Sequence, residues 1–160
     1  AFARDEIVDE ASETRDLGTL LTTVAAEAHA AGQPVGLTPP DALPARVRPR
    51  ALKRALVNIV DNAVRYGGGA EIAARRSDDE IEIIVVDHGP GVAPDERENV
   101  LRPFYRCEAS RSRETGGIGL GLATASDTIR AHGGTIALSE TKGGGLTVAV
   151  RLPVASAVSI

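Results

Sequence analysis

The sequence predicts one domain of the mixed α/β class, in which helices alternate with pairs of short strands. Its 160 residues are enough for a single domain with a hydrophobic core. The hydrophobic share of 42% and the charged share of 25% are those of an ordinary globular protein. Segments with helical spacing of apolar residues alternate with strand-like runs, in the order helix, short strands, helix, two strands, long loop, helix, two strands.

The N-terminal part of the chain predicts one helix and two short strands. Residues 1–15 are rich in charge and helical by propensity, and we interpret them as the tail of a neighbouring helical domain or as a linker. Asp16 is a typical helix N-cap, and Gly32 is a typical stop. Between them, apolar residues recur at helical spacing: Leu17, Leu20, Leu21, Val24 and Ala28. Residues 35–38 and 45–47 are short extended pieces around a proline-rich turn.

A central helix is predicted from near Pro49 to the glycines at residues 67–69. It has a buried stripe made of Leu52, Ala55, Leu56, Ile59 and Ala63. Asn58 and Asn62 are four residues apart and Arg65 is three further on, so all three project from a second face. Two amides and a guanidinium indicate a site for an anion and a metal, because an amide carbonyl binds Mg²⁺ without adding negative charge. The alternative is a polar, solvent-exposed face.

Two strand-like runs, residues 70–76 and 80–86, follow the central helix and are joined by a polar turn. The second run becomes continuously apolar, as expected for a strand covered on both faces, and leads into Asp87. A carboxylate at the end of a buried strand can accept a hydrogen bond from the amino group of a planar ligand. Gly89 and Gly91 would let that ligand approach the backbone. The alternative is a turn in which the aspartate caps its own backbone.

A long loop and a glycine-rich segment come next. Residues 93–116 carry five arginines and few apolar side chains, which indicates either an anion-attracting loop or a solvated one. Glycines within residues 116–122 lead into a helix predicted over residues 120–131, and glycine amides at a helix N-terminus form an anion site. Their spacing matches neither the P-loop nor the dinucleotide fingerprint. Residues 135–140 and 146–152 are the last predicted pair of strands.

Composition and charge exclude several classes of protein. The net charge of -4 gives no indication of general nucleic-acid binding, and no apolar run approaches the roughly 18 residues of a membrane span. The single cysteine, Cys107, has no partner for an internal disulfide and no metal-ligand cluster around it in the sequence, which fits a reducing, cytoplasmic setting. Because the chain begins at Ala1 and contains no methionine, we expect it to be a piece of a longer protein.

The order and spacing of these motifs resemble those of the catalytic and ATP-binding domain of bacterial sensor histidine kinases. That domain belongs to a superfamily that also holds DNA gyrase B, the heat-shock chaperone ATPases and the mismatch-repair ATPases. The resemblance covers residues 16–153, with residues 154–160 as a tail. The matching segments are the N box at 58–66, the G1 box at 87–91, the F box at 102–104, the G2 box at 117–122 and the closing glycine motif at 144–147. The Arg65–Tyr66 pair and the short arginine-rich lid are similar to those of the osmosensor kinase subgroup.

The resemblance implies a Bergerat ATP-binding fold, which is an α/β (α+β) two-layer sandwich with a mixed, mainly antiparallel sheet packed on three helices. The implied cofactors are ATP and Mg²⁺. Asn58, Asn62 and Arg65 would be the catalytic residues, with Asn62 as the metal ligand and Arg65 on phosphate. Tyr66 would pack near the adenine, and Asp87 would accept from its amino group. The other implied nucleotide-binding residues are Gly89, Gly91, Val92, Phe104, Arg106, Gly117, Ile118, Gly119, Leu120, Gly121, Leu122 and Thr147.

At one position the chain differs from the hydrolytic members of the superfamily, and this difference helps to distinguish ATP hydrolysis from phosphoryl transfer. Those members place a water-activating glutamate four residues before the magnesium asparagine, where this chain has Asn58, and a neutral amide is not a general base. Asp61 lies about 100° round the helix from Asn62, so we expect no residue that activates water. The resemblance therefore implies phosphoryl transfer to a histidine on a separate domain. The alternatives are an ATP-gated conformational module of the gyrase or chaperone type, an anti-sigma-type protein serine kinase and a degenerate nucleotide-binding scaffold.

The resemblance also implies partners and a location. We expect a phosphoacceptor and dimerisation helical domain of the same parent protein, a downstream response regulator, and no nucleic acid. The chain itself is expected to be a cytoplasmic monomer without membrane contact. The parent is expected to be a homodimeric sensor of the inner membrane.

Overall fold

Three helices and seven strands form the described part of the chain, which in this computed structural model comprises residues 10–38, 40–91, 93–97 and 117–154. The helices are α1 (Leu17–Ala30), α2 (Pro49–Gly67) and α3 (Gly117–Ala131), with a 3₁₀ turn at Pro94–Glu96. The strands are β1 (Glu13–Asp16), β2 (Val35–Leu37), β3 (Pro44–Val47), β4 (Ala70–Ser77), β5 (Glu80–Val86), β6 (Thr135–Glu140) and β7 (Leu146–Pro153). Within that part, none of the helices combines the length and the apolar character that a bilayer crossing needs.

Five of the strands form one mixed sheet in the order β2-β4-β5-β7-β6. The β2–β4 pair is parallel, and the β4–β5, β5–β7 and β6–β7 pairs are antiparallel. β1 and β3 form a separate antiparallel pair. The predicted mixed, mainly antiparallel sheet with three helices is therefore confirmed.

The hydrophobic core lies between this sheet and the helices. α2 packs against α1 and α3 and against strands β4, β5 and β7. The core side chains of β5 are Ile81, Ile83 and Val85, each at most 1% exposed. The predicted apolar stripe of α2 is buried, and it consists of Leu52, Ala55, Leu56, Ile59 and Ala63. Burial of one aliphatic side chain of this size contributes about 1.5–3 kcal/mol, so this layer fixes α2 against the sheet.

Two helix ends that the sequence predicts are confirmed. Asp16 is the N-cap of α1, since its Oδ1 accepts from the backbone N–H of Gly18 at 3.1 Å and of Leu43 at 2.7 Å. The hydrogen bond from Leu43, followed by that from the Thr19 hydroxyl, holds the pKa of the Asp16 carboxyl below its usual range. Gly68 caps the C-terminus of α2, and its φ of 81° is a left-handed conformation that glycine adopts without steric cost.

Two boundaries differ from the sequence prediction. Residues 13–15 have helical propensity, but they belong to β1 because they pair with β3. α3 begins at Gly117, three residues before the predicted start at Leu120. Gly117 and Gly119 lie inside the helix although glycine is a poor helix former, and packing of α3 against α2 overrides that preference.

Candidate nucleotide-binding site

A cleft beside α2 and α3 brings the predicted N-box residues together. Its volume is about 290 Å³, and its lining consists of Asn58, Asp61, Asn62, Arg65, Tyr66, Gly121 and Thr124. The first four occupy positions i, i+3, i+4 and i+7 of α2, which share one face of a helix. The apolar stripe occupies the core-facing side of the same helix. α2 therefore has one apolar face that packs in the core and one polar face that lines the cleft.

Asn62 gives the strongest indication of a ligand-binding role in this cleft. The residue is only 6% exposed, and its Oδ1 has no hydrogen-bond partner in the described part of the chain. A buried acceptor without a donor costs about 1–3 kcal/mol. An amide oxygen is a hard ligand that suits Mg²⁺. No group of three or more histidine, cysteine or acidic residues placed to hold a metal occurs among the described residues. The buried amide oxygen of Asn62 therefore fits the role of one ligand to a magnesium ion.

Asp61 lines the cleft, although it lies about 100° round the helix from Asn62. Asp61 also lies about 60° round the helix from Asn58, so it remains on the cleft face. Its Oδ2 is 3.7 Å from Arg65 Nη2, and the two side chains are 48% and 51% exposed. The cleft lining therefore contains a carboxylate beside the predicted phosphate-binding arginine.

Asp87 is fixed at the end of β5 by the backbone around it. Its Oδ1 accepts from the N–H of Gly89 at 2.9 Å and of Leu146 at 3.1 Å, and its own N–H donates to the Leu146 carbonyl at 3.0 Å. Both side-chain hydrogen bonds end on Oδ1, and no described residue donates to Oδ2. The two roles predicted for this aspartate, a turn cap and a ligand acceptor, are therefore compatible, because each uses a different oxygen.

Glycines pack the Asp87 loop against the end of α2 and the turn before β7. A Cβ on Gly89 would lie 2.5 Å from the Cα of Gly67, and a Cβ on Gly67 would overlap the Asp87 side chain. A Cβ on Gly91, where φ is 75°, would lie 2.9 Å from the carbonyl oxygen of Gly145. A side chain at Gly89 or Gly91 would therefore clash with neighbouring backbone, so glycine at these positions allows the Asp87 loop to pack closely. Because Asp87 packs against the end of α2, the adenine-acceptor candidate adjoins the helix that lines the cleft.

α3 contributes to the cleft near its N-terminal end. Gly117 and Gly119 lie in its first turn, where backbone N–H groups have no intrahelical acceptor. Gly121 lies beyond that turn, so its N–H follows the ordinary helical pattern, and its lack of a side chain leaves room beside Asn58. Thr124 also lines the cleft. Thr124 was not predicted from the sequence, although it lies three residues after Gly121 and therefore on the same helix face.

The other predicted site residues lie elsewhere or outside the described part. Leu122 is fully buried in the hydrophobic core. Contrary to the prediction, its side chain therefore does not line the cleft. Thr147 lies in β7, and its hydroxyl oxygen is 2.9 Å from that of Thr141. For residues 117–120, which include Ile118 and Leu120, the structure describes a helical backbone. Val92, Phe104 and Arg106 lie outside the described residues.

The fold and this site define a class of protein. The chain belongs to the family of histidine kinase-, DNA gyrase B- and HSP90-like ATPases, whose sequence pattern matches residues 47–156. This match covers more than half of the chain and confirms the resemblance seen in the sequence.

Sensor histidine kinases are among the proteins similar in sequence to this chain. The chain is 39% identical over 153 residues to the sensor histidine kinase CpxA of Escherichia coli, which is 94% of this chain and 34% of CpxA. It is 43% identical over 105 residues to the sensor-like histidine kinase SenX3 of Mycobacterium tuberculosis, which is 64% of this chain and 26% of SenX3. The chain therefore spans about a third or less of the length of these relatives.

Solved structures share the fold. The ATP-binding domain of PrrB from Mycobacterium tuberculosis matches with a TM-score of 0.75 and 29% identity, covering 92% of this chain and 100% of that domain. The histidine kinase domain of the Escherichia coli osmosensor EnvZ matches with a TM-score of 0.66 and 32% identity, covering 90% of this chain and 89% of that domain. These matches confirm the predicted two-layer sandwich.

Proposed function

We propose that this chain is the catalytic, ATP-binding domain of a two-component sensor histidine kinase. It binds ATP with Mg²⁺ and transfers the γ-phosphoryl group to a histidine that lies outside the chain. The observation that carries this proposal is the buried amide of Asn62, whose Oδ1 lacks a donor in the described part of the chain. Membership of the ATPase family supports ATP as the nucleotide, and the similar sensor histidine kinases support a phosphotransfer role.

Separate groups match the two ends of the nucleotide. Asp87 Oδ2 accepts from the adenine amino group, because Oδ1 is already held by two backbone N–H groups. Arg65 and the first-turn amides of α3 bind phosphate oxygens. Asn62 Oδ1 would hold the magnesium ion, with Asn58 beside it, and the ion would supply positive charge that neutralises the phosphates. Because the Asp87 loop packs against the end of α2, one connected unit orients the nucleotide from base to phosphates.

The phosphate acceptor comes from another domain or subunit, because none of the three histidines lines the cleft. His132 uses both ring nitrogens: Nε2 accepts from the Arg48 N–H at 3.0 Å, and Nδ1 donates to the Thr128 carbonyl at 2.8 Å. His88 is an exposed side chain near Glu71, and His29 lies on α1. Phosphoryl transfer needs the nucleophile in contact and nearly in line with the γ-phosphate.

The proposed partners follow from this missing acceptor. The first is a helical phosphoacceptor and dimerisation domain of the same parent protein, and the second is a response regulator that takes the phosphoryl group onward. The much greater length of CpxA and SenX3 leaves room for such domains in a parent protein. The chain would then be the cytoplasmic part of a homodimeric membrane sensor. Residues 16–153 would form the catalytic unit, and the segment before Asp16 would connect it to the acceptor domain.

The position of Asp61 favours a second candidate, which is an ATP-hydrolysing conformational module. A carboxylate in the cleft lining could activate water as a general base. Replacement of Asp61 by asparagine separates the two candidates. A transfer domain keeps its phosphotransfer rate within about threefold, whereas loss of a general base lowers turnover by at least about 100-fold. Phosphotransfer and phosphate release are both measured with labelled ATP.

Labelled ATP also tests the main proposal. With Mg²⁺ and labelled ATP, the chain alone gains no acid-labile, alkali-stable phosphoryl group. Addition of the parent's dimerisation helices in trans labels those helices, at low yield because the effective concentration given by the tether is lost. The Asn62→Ala variant serves as the inactive control. Stable labelling of the chain on one of its own histidines would contradict the proposal.

A further inference from the structure

The N-terminus of α2 has no capping side chain of its own. Its N-cap residue is Arg48, which makes no side-chain cap hydrogen bond, and the first turn contains no acidic residue. Helix N-caps are usually serine, threonine, aspartate or asparagine, because their side-chain oxygens accept from free N–H groups of the first turn. Arginine has no acceptor atom. The first-turn N–H groups of α2 therefore need an acceptor from another part of the chain.

Glu10 supplies that acceptor. Its Oε2 accepts from the N–H of Arg50 at 2.8 Å, and its Oε1 accepts from the N–H of Ala51 at 2.9 Å. The Arg50 guanidinium Nε lies 3.6 Å from Oε2, and the Glu10 side chain is only 12% exposed. Arg48 Nε also donates to the carbonyl oxygen of Glu10 at 3.0 Å. The segment before β1 is thereby tied to the first turn of α2 through both its side chain and its backbone.

The charge of Glu10 suits this position. Burial raises the pKa of its carboxyl, but the backbone hydrogen bonds from Arg50 and Ala51 and the Arg50 charge together lower it by more. An ionised carboxylate is also favoured at a helix N-terminus, because the helix dipole is positive there. The ionised form that caps α2 is therefore the stable one at neutral pH.

α3 is tied to the same junction. His132 directly follows α3, and its Nε2 accepts the N–H of Arg48 at 3.0 Å. Glu10, Arg48 and His132 thus join the segment before β1 to one end of α2 and to one end of α3. α2 and α3 are the two helices that line the cleft. This junction therefore holds one pair of ends of the two helices that line the cleft.

We propose that Glu10 is a positioning residue of the nucleotide site, through which the segment before β1 controls the placement of α2 against α3. Asn58 lies eight residues along α2 from Arg50, roughly 12 Å at the helical rise. A continuous helix joins the two points, so release of the first turn shifts the cleft-lining face of α2 without any contact between Glu10 and nucleotide. This proposal rests on the proposed function, and it adds an upstream control of the same site.

The test compares Glu10→Gln with Glu13→Gln in the 160-residue chain. Glutamine keeps the size of Glu10 but has no charge and only one acceptor oxygen for two N–H groups. Glu13 is a matched control, because it lies only three residues further on, at the start of β1, and its ion pair with Arg15 is local and exposed. Calorimetry with a non-hydrolysable ATP analogue and Mg²⁺, well below the melting temperature, measures the affinity. We expect Glu10→Gln to weaken binding about 3- to 10-fold and Glu13→Gln to change it less than twofold.

Amide hydrogen exchange in the unmodified chain gives a second measurement that does not depend on a variant folding. Coupling between two sites is reciprocal, so bound analogue slows exchange at Arg50 and Ala51 by a factor similar to the affinity loss, about 3- to 10-fold. Equal affinities of the two variants, or unchanged exchange at Arg50 and Ala51 while the amides of the cleft become protected, would overturn the proposal. Absence of any binding by the unmodified chain would overturn the proposed function instead.

Discussion

The two faces of α2 differ in how well the surrounding residues satisfy their side chains. On the core face, Leu52, Leu56 and Ile59 are at most 1% exposed and packed by neighbours. On the cleft face, Asn62 is buried with an oxygen that no described residue satisfies. The core face gains stability from burial, whereas the cleft face gives up stability to keep a polar atom available. The contributions of α2 to the fold and to the chemistry can therefore be tested by separate substitutions, one on each face.

The largest effect expected on the cleft face is the loss of phosphotransfer in Asn62→Ala. Removal of the main protein ligand of magnesium lowers the rate by at least about 100-fold, because charge stabilisation at the phosphates is lost. The melting temperature stays the same or rises, since the substitution removes a buried acceptor without a donor. Labelled-ATP transfer and a thermal melt on the same preparation check both parts. A marked fall in melting temperature would mean that Asn62 is structural.

The core face has the opposite response. Leu56→Ala lowers the free energy of unfolding by about 2–5 kcal/mol, because it removes a fully packed side chain. Nucleotide affinity of the folded fraction stays within about twofold. Val57→Ala is the matched control, since Val57 is the adjacent residue of the same helix but 39% exposed, and it changes stability by less than about 0.5 kcal/mol. Denaturant unfolding measures both variants. Equal losses of unfolding free energy would contradict the assignment of Leu56 to the core face.

Selectivity for adenine over guanine tests the role of the Asp87 loop. Guanine has a carbonyl where adenine has an amino group, so GTP presents an acceptor to the Asp87 carboxylate. Leaving those groups unpaired costs about 1–3 kcal/mol, and we expect GTP to bind at least about tenfold more weakly than ATP. Asp87→Asn weakens ATP binding by a similar factor. Calorimetry with both nucleotides tests this, and equal affinities for ATP and GTP would exclude Asp87 from base recognition.

The smallest expected effect is on acid stability. The pKa of Asp16 is lowered in the folded chain, chiefly by the Leu43 N–H, and that of Glu10 is lowered although burial opposes the shift. A carboxyl with a depressed folded pKa stabilises the fold above its unfolded pKa and loses that contribution as pH falls through the folded pKa. The melting temperature should therefore fall by a few degrees as pH drops below about 4. Asp16→Asn should reduce this pH dependence, and melts from pH 6 to pH 3 measure it.

Local patterns in the sequence predicted most of the fold. The apolar stripe of α2, the Asp16 cap, the Gly68 stop and the order of the main strands all depend on residues close together in the chain. β1 was missed because three of its four residues are charged and give no strand signal of their own, and their structure depends on β3. The capping of α2 by Glu10 spans about 40 residues, and no local rule connects those two positions.

The site was predicted in part, for similar reasons. Asn58, Asn62, Arg65 and Tyr66 share the cleft because helical spacing determines which side chains point the same way. Asp61 was left out of the predicted site because its angle was compared only with that of Asn62, whereas its place in the cleft lining follows from the whole polar face of α2. Leu122 was placed in the site because it belongs to a glycine-rich motif, although a leucine in that position packs in the core.

The most direct test of the two-faced account of α2 is the magnesium dependence of ATP binding. Calorimetry compares the unmodified chain and Asn62→Ala, each with and without Mg²⁺. Because Asn62 Oδ1 is the proposed metal ligand, magnesium should strengthen ATP binding to the unmodified chain and have little effect on the variant, which keeps weaker binding through the contacts to adenine. An equal gain from magnesium in both proteins would contradict the account, because the buried oxygen would then have no part in holding the ion.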